Sequence, residues 1–505
     1  MEHNLSFVLD EKADQMQEGT FIVPSACKQI SLEHGLSMKY TFLVFMLLID
    51  SDKNIRFLKQ LSYSEPVIKI GETEKETTIG GVPGSCKEGE WTLRIYTFSE
   101  YLSHILQGET VSFQVTVSDN DMEITEEIGG PLWVKDTLTY SQYDYEKVYQ
   151  ENKRWYRGDL HTHTRLSDGK ELPKRANEKS KMMELDYYIP TEHNVLHTGW
   201  PKTEVMIVPG VEITTALGHA NVFGIDKMPE SLFKILQHKN KEEIMQDLEE
   251  ILRECHNRTW LFSINHPFLY IWQWLYDDIQ IKDIDCLEII NDPTYEADVK
   301  ASAKEANQKA VFLSDMLWED GYRICAIGGS DSHNLIEERY GDATEPSIPG
   351  DPTTCLYMDK LTPNHLITAL KNCNSYVTRH CKLETNLMFG QSYIKEIQSI
   401  FYKITFLETK DEPIVYYIKN KTKYVCTPVK NEKSEYTVEG KIDFDDVPYN
   451  WIRFGAEDKN GNFIFYGNPI TRGSKEPWFK KYGEIKEKLE QRWRLKEYYS
   501  TKMEL

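Results

Sequence analysis

The stretch RGDLHTHTRLSDG, residues 157–169, constrains this chain more than any other. It reads as a short strand, 157–160, that runs into His161 and His163 and then turns at Ser167-Asp168-Gly169, presenting Asp168. Side chains alternate along an extended segment, so the two imidazoles point the same way, about 7 Å apart along the strand, and can share a metal ion. Two histidines at a strand end are also ordinary polar residues, and an isolated His is more often a satisfied core or surface group than a ligand. The chain, however, repeats the event. Apolar runs lead into Pro190-Thr191-Glu192-His193-Asn194, Pro209-Gly210-Val211-Glu212-Ile213-Thr214, Ile264-Asn265-His266-Pro267 and Gly328-Gly329-Ser330-Asp331-Ser332-His333, and another opens with Gly218-His219. A carboxylate emerging from a buried run is costly unless paired or metal-bound, which makes Glu212 a candidate bridge between two cations.

At 505 residues the chain is long enough for roughly two to four domains. Its 40% hydrophobic and 28% charged content is that of a soluble globular protein, without collagen-like, disordered or coiled-coil bias. A net charge of −21 opposes binding of a nucleic-acid polymer, although a metal cluster would make one pocket locally positive. The N-terminus is acidic and lacks the apolar core of a signal peptide. The longest apolar run, Phe42 to Ile49, falls far short of the roughly 20 residues of a membrane span. A cytoplasmic protein with no membrane partner is expected. Nine cysteines without C-x-x-C spacing fit reduced thiols, and neither a disulfide framework nor a thiolate zinc site.

The organisation follows from periodicity. Residues 1–135 predict a β-sandwich-like domain, with strands at 40–49, 54–61, 91–98 and 110–117 and turn residues between them. A Tyr-rich linker, 136–156, leads into a region, 157–385, where strands (187–191, 205–213, 219–225, 260–264, 285–290, 324–328) alternate with helices (240–255, 297–320, 363–372). That alternation predicts an α/β fold, a closed β/α barrel with its site at the strands' C-terminal ends. Residues 386–475 return to β character, with a hairpin around Lys459-Asn460-Gly461. In 476–505, Trp478, Tyr482, Ile485, Leu489 and Trp493 recur at helical spacing, predicting a docking helix, with a dimer contact as the alternative. The oligomeric state is not legible.

These motifs resemble those of the PHP (polymerase and histidinol phosphatase) metallohydrolase superfamily over residues 157–381, and the resemblance implies a distorted (β/α)7 barrel. Carried over by motif, it implies a first metal held by His161, His163, Asp331 and the bridging Glu212, a second by Glu212, His219 and His266, and a third by Asp168, His193 and His333. Where the family has Thr-Asp-His this chain has Thr191-Glu192-His193, and Glu192 is expected to orient the imidazole by a hydrogen bond. The N-terminal β region, the GHANVFG run, the stretch PTTCLYMDKLTPNHLITALKNCNSYVT and the late FYGNPI run resemble the carbaryl-hydrolase-like branch of that superfamily.

Mixed imidazole and carboxylate ligands suit two to three divalent transition metals, Mn²⁺, Zn²⁺ or Fe²⁺, rather than the oxygen cages of Ca²⁺ or Mg²⁺. A water bridging two such ions is the expected nucleophile, with Glu212, Asp331 and His333 in the catalytic machinery and Arg379 as a bidentate phosphate grip. His197 and Arg323 are expected to be structural. The function expected is hydrolysis of a small-molecule phosphate mono- or diester. Carbamate or carboxylic ester hydrolysis, and a catalytically inactive metal-stabilised binding protein, are the alternatives.

Overall fold

The computed structural model describes residues 1–503 apart from Glu230, His238 and Lys239. Near the N-terminus the period-2 pattern of Val111–Ser118 does what such a pattern dictates. Phe113, Val115 and Val117 are buried while Ser112 and Gln114 face solvent. This strand lies between Glu2–Leu9 and Ile30–His34, and Val67–Ile70 completes a four-stranded sheet. A second sheet runs Met16–Val23, Gly89–Thr97, Val44–Ile49, Ile55–Gln60, and every pair in both sheets is antiparallel. Leu32, Leu48, Trp91 and Val115 are packed in one cluster between them. Full burial of an aliphatic side chain of this kind contributes about 1.5–3 kcal/mol. The four strands read from the sequence form. Four more, Glu2–Leu9, Met16–Val23, Ile30–His34 and Val67–Ile70, accompany them, and the helix Ser99–Leu106 interrupts the all-β pattern.

The rest of the molecule is mixed α/β and rich in strands. Gly210–Thr215, Gly218–Phe223, Leu261–Ile264, Cys286–Asn291 and Cys325–Gly329 form a five-stranded sheet whose first three strands are antiparallel and whose last three are parallel. Arg154–Asp159 belongs to a different sheet, parallel to Tyr187–Tyr188 on one side and antiparallel to Thr353–Met358 on the other. Two isolated parallel bridges join the sheets, Thr162 to Ser332 and His193 to Glu212. The continuous parallel ladder expected of a (β/α)7 barrel is therefore replaced by two sheets that meet at the ligand-type residues. One reason is local: the run 205–213 splits into Met206–Ile207 and Gly210–Thr215 around Pro209, which has no N–H to give to a ladder.

The sheet does not stop at residue 385. Ser375–Thr378 pairs with Phe463–Gly467, which pairs with Tyr449–Glu457, so strands of the C-terminal region extend the same layer. The expected hairpin closes over Lys459-Asn460-Gly461, with Gly461 at φ 72°. Helices form at Lys241–Arg258 and Pro363–Lys371, capped by Asn240 and Thr362, and an additional one forms at Pro173–Met182. The helix expected from 297 begins only at Ala303, because Asp298 caps a 3-10 turn at Val299–Ala301 and Ser302 is left-handed. Tyr482–Leu495 buries Tyr482, Ile485 and Leu489 and packs on Ala303–Asp320. Trp478 lies outside that helix and is 82% exposed. Among the described residues no helix is long and apolar enough to cross a membrane.

One ion pair fastens the C-terminal region to the rest. Arg453 meets Asp315 with Nε to Oδ1 at 3.0 Å and Nη2 to Oδ2 at 2.5 Å, and the hydroxyls of Tyr466 and Tyr499 donate to the same carboxylate. Both partners are almost fully buried. Removing one leaves an uncompensated buried charge, so Asp315→Ala is expected to lower stability by about 3–5 kcal/mol in urea denaturation, whereas the double change Asp315→Leu/Arg453→Met recovers most of the loss.

Candidate metal centre

The approach of the chain to the centre is set by backbone groups that need partners. After Arg154–Asp159 the carboxylate of Asp159 accepts from the N–H groups of His161, Ser330 and Gly350, binding three separate segments at one buried point. Burial pushes its carboxyl up to about 6. Gly329 lies where a Cβ would sit 2.3 Å from His161 Cβ and 2.6 Å from Glu288 Oε1, so only glycine lets those two side chains meet. Asn194, His266 and Asp331 adopt left-handed φ values of 55°, 25° and 47°, a strain of order 1–3 kcal/mol each that recurs at functional sites.

All nine ligand-type residues singled out in the sequence converge. His161 Nε2 is 3.2 Å from Glu212 Oε1 and 3.3 Å from Asp331 Oδ1. His163 Nε2 is 3.4 Å from Glu212 Oε2 and 3.0 Å from Asp331 Oδ1. Glu212 Oε1 also lies 3.2 Å from His219 Nδ1 and 3.5 Å from His266 Nε2. Asp168 Oδ1 is 3.4 Å from His193 Nε2 and 3.2 Å from His333 Nε2. The sets adjoin, since His193 Nδ1 reaches Glu212 Oε2 at 2.8 Å. Donor atoms of His161, His163 and Glu212, of His161, His266 and Asp331, of His193, Glu212 and His219, and of His163, Asp168, His193 and His333 each fall within 4.8 Å of one another.

The chemistry of this donor set fits divalent cations. His161 Nε2 and His163 Nε2 are buried without a hydrogen-bond partner and face the oxygens of Glu212 and Asp331 at 3.0–3.4 Å, a costly state for polar atoms. The charges ask for the same solution. Burial by itself would raise the carboxyls of Glu212, Asp331 and Asp168, yet the surrounding imidazoles hold all three well below the usual carboxylate range. Burial likewise opposes protonation of His161 and His193, but the carboxylates around them hold both well above the usual imidazole value. Asp168 pushes His333 up to about 9. His219 is pushed down to about 4 by burial. A metal ion bound here would satisfy the carboxylates and the buried imidazole nitrogens together.

The residues behind the ligands include several that the sequence did not single out. Glu288 accepts from His161 Nδ1 at 2.9 Å, which turns the Nε2 lone pair toward the centre, and its other oxygen accepts from the His266 N–H. Asn265 donates to Glu212 Oε1, and Asn291 donates to both Glu288 and Asp331. Glu288 stands inside the buried run Cys286–Asn291, and the rule that marked Glu212 would have marked it too. Glu192 does not orient His193. It accepts from the N–H and hydroxyl groups of Thr164 and Ser167 and from His197, so it pins the loop between His163 and Asp168. Burial would raise its carboxyl, but His197 and these donors hold it down to about 2. His193 Nδ1 instead meets Thr214 Oγ1.

The N-terminal sandwich braces the same loop: buried Lys59 donates to the Arg165 carbonyl and pairs with Glu126 at 3.0 Å, and Gln60 N–H donates to the Leu166 carbonyl. Arg379 is not a phosphate grip. Its guanidinium is held bidentately by Asp351 at 2.8 and 3.0 Å and reaches Glu345 at 3.3 Å, which leaves its fork occupied. Arg323 is structural, donating to Thr471 and to the carbonyls of Asn372 and Gly390.

The ligands open onto a cleft of about 250 Å³ lined on one side by Asp168, His193, His219, Asp331 and His333. No protein-family model matches the chain, and no curated protein matches it. Among solved structures it is similar to a two-domain Bacteroides vulgatus protein containing a predicted PHP-like metal-dependent phosphoesterase, at 16% identity and a TM-score of 0.33, covering 65% of this chain and 100% of that one. It is also similar to a candidate metal-dependent phosphoesterase from Bifidobacterium adolescentis (14% identity, TM-score 0.25, 36% of this chain and 92% of that one). A third is an amidohydrolase from Chromobacterium violaceum with bound sulfate (14%, TM-score 0.23, 37% and 93%). Similarity at this level says nothing about the reaction, and the function rests on the site itself.

Glu288→Gln keeps the shape of the side chain but weakens its grip on the His161 N–H. Metal affinity, measured by competition with a chelator, is expected to fall about 10- to 100-fold with the fold intact by circular dichroism.

Proposed function

We propose that this chain is a metal-dependent hydrolase of the PHP type, a phosphoesterase acting on a small-molecule phosphate mono- or diester. The observation that carries the proposal is Glu212, a fully buried carboxylate with nitrogens of five histidines within 3.5 Å of its two oxygens. His161, His163, Asp331 and Glu212 would hold one ion, Glu212, His219 and His266 a second, and Asp168, His193 and His333 a third. Imidazole with carboxylate suits Mn²⁺, Zn²⁺ or Fe²⁺. Such ions supply Lewis acidity toward the substrate oxygen and an activated water near neutral pH.

The chain's own residues do the rest. Glu212 ties two ligand sets together, and Glu288 holds His161 in the tautomer that presents Nε2. Glu192, Lys59 and Gln60 keep the His163–Asp168 loop in place. Asp168 and His333, about 30% and 24% exposed at the side chain, stand at the mouth where substrate enters. Two or three divalent ions exceed the charge of Asp168, Glu212 and Asp331 and favour an anionic reacting group, which ranks a phosphoryl group ahead of a neutral carbonyl. The cleft's size suits a small molecule and not a nucleic-acid polymer. Carbamate or carboxylic ester hydrolysis is the second reading, favoured by the apolar residues Leu269 and Trp272 in the cleft wall.

One metal-loaded preparation should be assayed with p-nitrophenyl phosphate, bis-p-nitrophenyl phosphate, and a naphthyl ester and carbamate. The phosphate esters are expected to show the higher kcat/KM, and Glu212→Gln is expected to lower it by at least about 10- to 100-fold. Much faster turnover of the carbonyl substrates, with no inhibition by inorganic phosphate, reverses the ranking. Wild-type turnover in Glu212→Gln with its metals retained overturns the bridging role.

A further inference from the structure

Besides the candidate ligands, the cleft is lined by Asn291 and Asp292 and by a largely aromatic group, Leu269, Trp272, Tyr295 and Tyr340. Leu269 and Trp272 come from the loop after His266, Tyr295 from the 3-10 turn after Cys286–Asn291, and Tyr340 from the segment after His333. The rings form a continuous surface: Trp272 and Tyr295 lie 6.3 Å apart between centroids at 57°, and Tyr295 and Tyr340 lie 4.9 Å apart in a T-shaped pair. Trp272 is also held from behind, because its indole N–H donates to Tyr101 Oη of the N-terminal sandwich at 3.0 Å. Such a surface presents π faces and edges that favour another flat ring. It spends the indole donor on the protein itself and so does not use it on a ligand.

The charge distribution narrows the occupant further. Among the described residues lining the cleft there is no lysine or arginine. Nearby cations are committed elsewhere, Lys170 to Glu338 and Arg379 to Asp351. Polyphosphates and sugar bisphosphates need cationic forks or ammonium groups away from the reacting centre, since each extra phosphate must be neutralised where it lies. With the proposed ions bound, positive charge would be confined to the ligand end of a small cleft. The other end rewards a planar apolar group.

We infer that the substrate carries a single phosphoryl head on an aromatic body, and that Trp272, Tyr295 and Tyr340 determine that specificity. The inference rests on the phosphoesterase reading for the identity of the head, and on the wall alone for the body.

Two measurements on the metal-loaded protein test it. The first is binding of two non-hydrolysable probes, phenylphosphonate and methylphosphonate, by calorimetry. Phenylphosphonate is expected to bind at least about 10-fold more tightly, with Trp272→Leu and Tyr295→Leu each removing most of that preference. The second is kcat/KM for phenyl phosphate and methyl phosphate. The same variants are expected to lower the phenyl-to-methyl ratio of kcat/KM about 10-fold, a change in ratio that a general loss of structure does not produce. If the two phosphonates bind the wild type equally, or the variants weaken phenyl and methyl compounds alike, the aromatic specificity is wrong while hydrolysis stands. If phenylphosphonate binds in preference but neither ester is turned over, the wall stands and the phosphoesterase reading falls.

Discussion

The structure depends on how Glu212 is kept charged although it is fully buried. A lone carboxylate at that depth takes up a proton or draws in a cation, because several kcal/mol of hydration are lost on burial. Five imidazoles from four separate parts of the chain, His161 and His163, His193, His219 and His266, surround it. They hold its carboxyl far below its ordinary value. The convergence of these side chains coincides with places where the two sheets meet. The bridge from His193 to Glu212 and the bridge from Thr162 to Ser332 are both made by candidate ligands or their immediate neighbours.

Around that charge the molecule is built in successive supports. Glu288, Asn265 and Asn291 fix the inner donors, and Glu192 fixes the loop that carries His163 and Asp168. Behind that loop the N-terminal sandwich contributes Lys59 and Gln60, and at the rim it contributes Tyr101. The N-terminal sandwich and the helix Ser99–Leu106 therefore position the site from two sides. On the opposite side the pair of Asp315 and Arg453 joins the helix Ala303–Asp320, which packs on Cys286–Asn291, to the C-terminal strands. This arrangement gives the C-terminal region a mechanical link to the strand that carries Glu288.

The convergence of these nine side chains was legible in the sequence because most of them stand where an apolar run meets His, Asp or Glu, a place where packing alone has no use for such residues. The sandwich strands were legible wherever one face alternates, as in Val111–Ser118. The strand at Glu2–Leu9 was not, because its first five residues alternate only between exposed and half-buried. Glu288 was missed because it stands inside an apolar run and was counted with it. Glu192 was given the wrong contact since nearness in sequence to His193 does not decide where a carboxylate turns. Arg379 was read as a phosphate grip because nothing in its neighbours along the chain shows Asp351 and Glu345 folded against it. The bracing by Lys59 joins positions 106 residues apart, beyond the reach of any local pattern. The barrel was overdrawn for a related reason: alternation of strands and helices does not specify which strands pair, and Gly210–Thr215 turns back on Gly218–Phe223 as an antiparallel hairpin.

The central claim is that nine side chains form one metal cluster, and the most direct measurement is elemental analysis of the wild-type protein. After reconstitution with Mn²⁺ or Zn²⁺ and removal of free ions, the chain is predicted to retain two to three ions. A folded wild-type protein that retains none after this treatment contradicts the account.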